Sequence, residues 1–162
     1  MIRKITLWAV AAIITFGTLS FVLPEQEKTQ DPADRIVGVW EPSNGRSRIK
    51  IDRIGNKYYG RVVWLIEPND ADGNPRLDIN NPNPELRNAP LRGFRMLKDF
   101  VYQGDDTWEE GTLYDPNNGS TYNGIIKMRD NNTLDMRGFI GVEALGRTDV
   151  WKRLKMPSRK KK

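Results

Sequence analysis

The most regular pattern in the chain lies in residues 107–141, TWEEGTLYDPNNGSTYNGIIKMRDNNTLDMRGFIG. Three segments rich in aromatic and β-branched residues are separated here by turn-forming runs of Asp, Asn, Pro and Gly. Segments of strand length between short turn signals are typical of β-hairpins. The stretch therefore predicts three consecutive antiparallel strands joined by tight turns.

The same pattern extends in both directions and predicts eight strands, at residues 36–41, 46–53, 57–66, 94–103, 107–115, 120–129, 133–141 and 145–154. No helical period of 3.6 residues persists after residue 34. Eight antiparallel strands with short links can close into a barrel without exposed edges, wide enough for one small ligand. We therefore predict an all-β fold, an eight-stranded up-and-down antiparallel barrel, with a flattened sandwich as the alternative.

Five glycines fall inside predicted strands rather than at turns. Glycine is useful where a strand bends sharply or where another group approaches its backbone, and both situations arise in a closed barrel. In a sandwich the same glycines would mark β-bulges. The five are Gly38, Gly60, Gly111, Gly124 and Gly138.

The two ends of the predicted barrel carry residues suited to closing it. Trp40 lies in the first strand and Arg153 in the last, and these strands are neighbours in a closed barrel. A guanidinium stacked on an indole forms a cation–π contact, so we expect Arg153, or failing that Arg147, to cover Trp40. We expect Gly38 to let the chain pass close beside the ring. The alternative is an ordinary core tryptophan.

Gly-x-Trp at the start of a barrel, with an arginine near its end, resembles the lipocalin and fatty-acid-binding (calycin) pattern. A longer series of motifs runs through the predicted barrel: GVW at 38–40, GRVVWL at 60–65, D-x-NNP-x-P-x-LR at 78–87, PL-x-G at 90–93, W-x-x-G-x-LYDP-x-x-G-x-x-Y at 108–122, L-x-MRGF-x-G at 134–141 and GRT-x-x-W-x-R at 146–153. This series resembles the DUF2147 family, an exported bacterial family of uncharacterised function. The resemblance implies a lipocalin-like barrel in the periplasm and brings no established reaction. The departures are Asn88-Ala89 and Ser120, where the family often has Arg and Lys.

The N-terminal segment has the composition of an export signal. Cationic residues precede 19 uncharged residues, ITLWAVAAIITFGTLSFVL, and acids follow. This pattern predicts a signal peptide or an uncleaved signal anchor at 1–23, a polar linker at 24–34, the barrel at 35–154 and a basic disordered tail at 155–162. We expect an exported protein, either periplasmic or anchored in the inner membrane and facing the periplasm.

The composition excludes several classes of function. The chain has no Cys and no His, which removes disulfides, thiolate metal sites and the Ser-His-Asp triad. Nine of the 26 basic residues lie at the two ends, so the body is mildly acidic and no nucleic-acid partner is expected. The basic tail either contacts anionic lipid at a membrane surface or is simply solvated.

No catalytic residue, metal or cofactor is predicted. Without histidine, a hydrolase would need a carboxylate pair or a lysine base, and adjacent acids such as Glu109 and Glu110 point to opposite faces of a strand. Acids and amides at 70–78 are calcium-type ligands, but they lack the full EF-hand pattern and equally suit Asx turns.

Residues 67–90 form a long predicted loop rich in Asn, Asp and Pro. Long loops in compact domains are usually functional or disordered, and five prolines favour order. We expect a lid over one barrel end, packed down by Leu77, Ile79 and Leu86, with Arg87 and Arg92 available to an acidic ligand group. The lid residues are Asp78, Asn80, Pro82 and Arg87.

The strands carry aromatic and basic residues that can line an interior. In strand 57–66, alternation places Tyr58, Gly60, Val62, Trp64 and Ile66 on one face. The sequence predicts a protein that encloses a small apolar or amphiphilic molecule, with an envelope interaction protein with a filled core, or a carboxylate-based enzyme, as alternatives. The candidate ligand-binding residues are Tyr58, Trp64, Arg87, Trp108, Tyr114, Tyr122, Arg137 and Arg147.

Overall fold

The structure, a computed structural model, describes residues 31–155. This part forms eight strands and three short 3-10 helices, which span Pro32–Ile36, Pro84–Leu86 and Glu143–Leu145. None of these helices has the length and apolar character of a membrane-spanning helix. The predicted leader and the tail beyond residue 155 lie outside the described residues. The strands are β1 (Gly38–Glu41), β2 (Ser47–Ile54), β3 (Lys57–Leu65), β4 (Arg95–Gly104), β5 (Thr107–Asp115), β6 (Ser120–Asp130), β7 (Thr133–Phe139) and β8 (Arg147–Arg153).

The eight strands close into a barrel in chain order. Each strand pairs antiparallel with the next, and β8 returns to β1 with Arg153 opposite Trp40. The prediction of an all-β, eight-stranded up-and-down barrel is confirmed, and the strand boundaries agree within two residues. Because the sheet closes on itself, no strand in the described chain is left as an edge.

One end of the barrel, here called the base, is plugged by the helix Pro32–Ile36, here called the base helix. The side chain of Asp31 caps it by accepting a hydrogen bond from the Ala33 amide at 3.0 Å. Ala33 and Ile36 are buried. The sequence predicts residues 31–34 as part of the polar linker, but they belong to the barrel floor, because Ala33 and the nearby Ile36 enter the core.

Two buried tryptophans hold the base helix from inside the barrel. The Trp40 indole donates to the Ile36 carbonyl at 2.8 Å, and the Trp108 indole donates to the Ala33 carbonyl at 3.2 Å. The Tyr58 hydroxyl adds a 2.9 Å hydrogen bond to Asp34. A 3-10 helix of five residues has few internal hydrogen bonds, so these contacts satisfy polar groups that burial would otherwise leave unpaired.

Arg153 locks the barrel seam at the base. Its guanidinium lies 4.2 Å from the Trp40 ring centroid and donates to the carbonyls of Val37 at 2.8 Å, of Asn131 at 2.6 Å, and of Arg35. Burial lowers the pKa of Arg153 from its usual value. A Cβ on Gly38, whose φ is +148°, would collide with this guanidinium, so Gly38 makes room for Arg153 rather than for the indole.

Above the base helix, the lower half of the barrel is filled with large side chains. Phe100 crosses the interior and lies against Gly111 and Gly124, where any Cβ would collide with its ring. These two glycines thus accommodate a close approach, as expected for interior glycines of a closed barrel. The largest fully buried side chains of this core include Trp40, Trp108, Tyr58, Phe100, Ile36, Ile49 and Leu97.

Candidate ligand-binding site

The upper half of the barrel holds a cavity of about 760 Å³. It opens at the end opposite the base helix, here called the mouth, where the 42–46 and 116–119 turns and the long 66–94 loop meet. Its apolar walls and floor are formed by Val62, Leu65, Met96, Leu113, Met136 and Trp151. The cavity therefore begins where the filled core ends.

The mouth is polar and largely satisfied by its own contacts. Arg46 and Arg76 both bind the Glu67 carboxylate, at 3.1 and 2.8 Å. Asp115 accepts two hydrogen bonds from Asn117, at 2.9 and 2.8 Å. Arg147 also lines the cavity, and within residues 31–155 it forms no ion pair. At the entrance, Arg46 and Arg76 are thus engaged by Glu67, whereas Arg147 is available to a ligand.

Three of the eight candidate ligand-binding residues line the cavity: Tyr114, Tyr122 and Arg147. Tyr122 pairs with Leu113 across β5 and β6, and Arg147 pairs with Gly138 across β7 and β8. Gly138 carries no side chain, so β7 leaves space in the interior beside Arg147. These three positions lie in the upper half of their strands, at the level of the cavity.

Tyr58 and Trp108 lie in the base and do not line the cavity. Each comes one residue after the start of its strand, next to the turns that carry Gly55 and Asp106 at the base. At this level the base helix and Phe100 fill the interior. Alternation predicted correctly that both residues face inward, but the depth along the strand places them in the core rather than against a ligand.

Trp64 lies outside the barrel because the β2–β3 register shifts beside it. Ile49 pairs with Val62, whereas Arg48 pairs with Trp64, so Val63 has no partner and the alternation reverses. Arg48 stacks on the Trp64 ring at 4.3 Å, and Leu65 takes the place of Trp64 in the cavity wall. The prediction that Trp64 shares the inward face of residues 58, 60 and 62 is wrong.

Arg87 and Arg137 brace loops and do not line the cavity. Arg87 donates to the carbonyl of Asn81 at 2.8 Å, within the long loop. Arg137 donates to the Thr148 hydroxyl at 2.9 Å and to the Glu143 carbonyl at 2.8 Å, which fixes the link between β7 and β8. Both guanidinium groups therefore bind protein groups instead of a ligand, and Arg87 is not placed for the acidic ligand group expected there.

A buried hydrogen-bonded triad anchors the long loop to the barrel. Asp78 is 0% exposed, and its carboxylate accepts from the Tyr114 hydroxyl at 2.7 Å and the Asn81 amide at 2.6 Å. Burial, followed by the hydrogen bond to Asp78, raises the pKa of Tyr114 to about 12. The phenol thus stays protonated over the whole ordinary pH range and keeps donating to the carboxylate.

The middle of the loop is bound to the β5–β6 turn, whereas Glu67, Arg76 and Leu91 near its ends line the cavity. The Asn80 side chain donates to the carbonyls of Pro116 and Asn117, both at 3.0 Å. Asp78, Asn80, Pro82 and Arg87 do not line the cavity, so the predicted lid residues pin the loop to one side. Leu77, Ile79 and Leu86, expected to pack the loop down, remain exposed because polar contacts hold it instead.

Asp70 organises the first part of the loop as an Asx turn. Its Oδ1 accepts from the amides of Asp72 at 3.0 Å and Asn74 at 2.9 Å. Asp78 is engaged with Tyr114 and does not join this group. Of the two readings left open for residues 70–78, the structure matches the turn.

Comparison with known proteins identifies the family. Residues 38–153 match the model of DUF2147, described as an uncharacterized protein conserved in bacteria. The chain belongs to the DUF2147 family. The resemblance drawn from its motifs is thereby confirmed over almost the whole barrel.

The barrel of this DUF2147 protein is similar to a solved structure, protein HP1028 from the human pathogen Helicobacter pylori, described as belonging to the lipocalin family. The TM-score is 0.64 at 24% sequence identity, and the match covers 74% of this chain and 82% of that chain. A likeness at this level of identity shows a lipocalin-like fold. No curated protein matches the chain.

The cavity residues of the DUF2147 chain that were not predicted include one hydrogen-bonded pair on β8. Asp149 and Trp151 both line the cavity, and the Trp151 indole donates to the Asp149 carboxylate at 2.8 Å. Once Arg153 is placed inside the barrel, alternation along the last strand puts residues 151, 149 and 147 on the same face. That signal was available in the sequence, although an acid on a strand is more often a solvated surface group.

Proposed function

We propose that this DUF2147 protein is an exported, lipocalin-like binding protein that encloses a small apolar or amphiphilic molecule in the bacterial cell envelope. The observation that carries the proposal is the cavity of about 760 Å³ above a sealed base. Small-molecule pockets measure roughly 300–1,000 Å³ and combine apolar walls with a few polar groups. The apolar floor and the charged mouth fit that description.

The envelope location rests on the N-terminal segment. Residues 1–23 have the composition of a signal peptide or signal anchor. The described chain begins at the base helix, so a tether preceding residue 31 would join the barrel at its base and leave the mouth free. Fractionation of the native host would test this, because recovery in the cytoplasmic fraction would contradict export.

A second candidate function, an envelope interaction protein, is favoured by exposed apolar residues at the mouth. Ile140, Val142 and Leu145, in the link between β7 and β8, are 67%, 62% and 82% exposed. Exposed apolar residues that cluster can mark a contact site. The filled-core form of this alternative is not supported, since half of the barrel is hollow.

Native mass spectrometry of protein purified from its own host, followed by extraction of bound small molecules, tests the binding proposal. A co-purifying amphiphile is the expected result. Leu113→Trp would place a large side chain in the cavity and should remove the bound mass. Thr112→Trp is the matched control, since the next residue of the strand faces the opposite side of the sheet.

Both variants are first compared with the parent protein by thermal melting. Loss of the bound molecule from a folded Leu113→Trp variant, and not from Thr112→Trp, would support the cavity as the binding site. Repeated purification without any bound molecule would shift the conclusion to the interaction protein.

A further inference from the structure

Strand β8 places one carboxylate in the wall of the cavity. Asp149 pairs with Met136 and Trp151 pairs with Leu134, so both side chains of β8 face the interior with their partners. Met136 is 1% exposed and belongs to the core. The register therefore puts Asp149 at the level where the filled core meets the cavity floor.

Asp149 has one side-chain hydrogen bond and no ion pair among the described residues. One carboxylate oxygen accepts the 2.8 Å hydrogen bond from the Trp151 indole. Among residues 31–155 no Lys or Arg nitrogen lies within ion-pair distance of it. Arg147 lies two residues nearer the mouth and is not paired with it. An ionised carboxylate can accept about four hydrogen bonds, and the indole supplies one.

The other acids lining the cavity accept more hydrogen bonds than Asp149. Glu67 is bound by Arg46 and Arg76, and Asp115 accepts two hydrogen bonds from Asn117 in a turn. Both of these acids lie at the mouth. Asp149, on the strand below, is thus the lining acid with the most unused hydrogen-bonding capacity for a ligand.

We infer that the ligand carries an amine or ammonium group that binds the Asp149 carboxylate, with its apolar body against the cavity walls. The inference rests on the proposed function, because it specifies the chemistry of the same cavity. A carboxylate among apolar side chains favours a cationic donor, since charge-assisted hydrogen bonds are stronger than neutral ones and gain strength away from water. The same carboxylate repels an anionic head group at this depth.

Three probes of equal chain length test the inference: decylamine, decanol and decanoate, below their micelle concentrations. Dissociation constants are measured by calorimetry on the full chain. We expect decylamine to bind about tenfold or more tightly than decanol, as a charge-assisted hydrogen bond would provide. Asp149→Asn should remove that advantage and leave decanol binding within about threefold of the parent.

Asp52→Asn is the matched control. It makes the same change of charge on β2, where Asp52 pairs with Lys50 at 2.7 Å and does not line the cavity. Binding of all three probes should be unchanged in this variant. The comparison of probes on the parent protein needs no variant, so it remains decisive even if Asp149→Asn fails to fold.

The outcomes separate the inference from the proposed function. Binding of decanol and decanoate without any preference for decylamine overturns the inference and leaves the binding function standing. Tightest binding of decanoate, weakened by Arg147→Gln, also overturns it and places an anionic group at the mouth. Failure of all three probes to bind overturns both the inference and the proposed function.

Discussion

The base and mouth halves of the barrel use the same eight strands but treat their interior differently. In the base half, Trp40, Phe100 and Trp108 fill the space, and the base helix closes the end. In the mouth half, the side chains and Gly138 line a cavity instead of filling it, and Asn80 of the long loop is bound to the β5–β6 turn. An eight-stranded barrel can be filled or hollow. The outcome depends on the size of the side chains that point inward and on whether an end segment enters the barrel.

Polar contacts also have different roles in the two halves of the barrel. At the base, tryptophan, tyrosine and arginine side chains bind the backbone and side chains of residues 33–37 and leave no space for a ligand. At the mouth, the hydrogen bonds of Asp78 and Asn80 hold the long loop against Tyr114 and the β5–β6 turn. The base contacts therefore serve stability, whereas the mouth contacts keep access to the cavity.

The largest effect is expected from Trp40→Ala at the base. Removing a fully buried indole, its hydrogen bond to Ile36 and its stacking with Arg153 should lower the free energy of unfolding by about 3–5 kcal/mol. Trp64→Ala, the same change on the outer wall, should cost about 1 kcal/mol or less. Urea denaturation of both variants checks the contrast. Equal losses would mean that the base is not the stable half.

A pair of glycine substitutions tests how tightly each half is packed. Gly124→Ala should destabilise the protein by about 1–3 kcal/mol, because its methyl group would collide with Phe100. Gly138→Ala faces the cavity, where the nearest atom, Leu113 Cδ2, lies 3.4 Å from the added carbon. That variant should be neutral or more stable by up to about 1 kcal/mol. The comparison fails if Gly138→Ala proves the costlier of the two in denaturation.

A smaller loss of stability than for Trp40→Ala is expected from Tyr114→Phe at the mouth. Loss of the hydrogen bond to buried Asp78 should cost about 1–2 kcal/mol and speed hydrogen exchange at the Asp78 and Asn81 amides. Tyr122→Phe, at the same end of the barrel, is the control. Unchanged exchange in Tyr114→Phe would show that the triad does not hold the loop.

The same hydrogen bond predicts a pH dependence. Because the pKa of Tyr114 rises from 10.0 to about 12 on folding, its contribution is complete below about pH 10 and is lost as the pH rises through about 12. Denaturation between pH 9 and about 12.5 should show a smaller loss of stability in Tyr114→Phe than in the parent. Parallel curves for the two proteins would contradict the assignment.

The sequence by itself determined the strands, their order and the closure of the sheet, because alternation and turn chemistry are local properties. It also brought Trp40 and Arg153 together once the barrel was assumed. Tertiary structure alone decided the depth of each inward residue, which placed Tyr58 and Trp108 in the core and Asp149 beside the cavity. A register shift at Val63 turned Trp64 outward, and hydrogen bonds to a distant turn set the path of the loop. Both depend on contacts between residues far apart in the chain, which a local pattern does not encode.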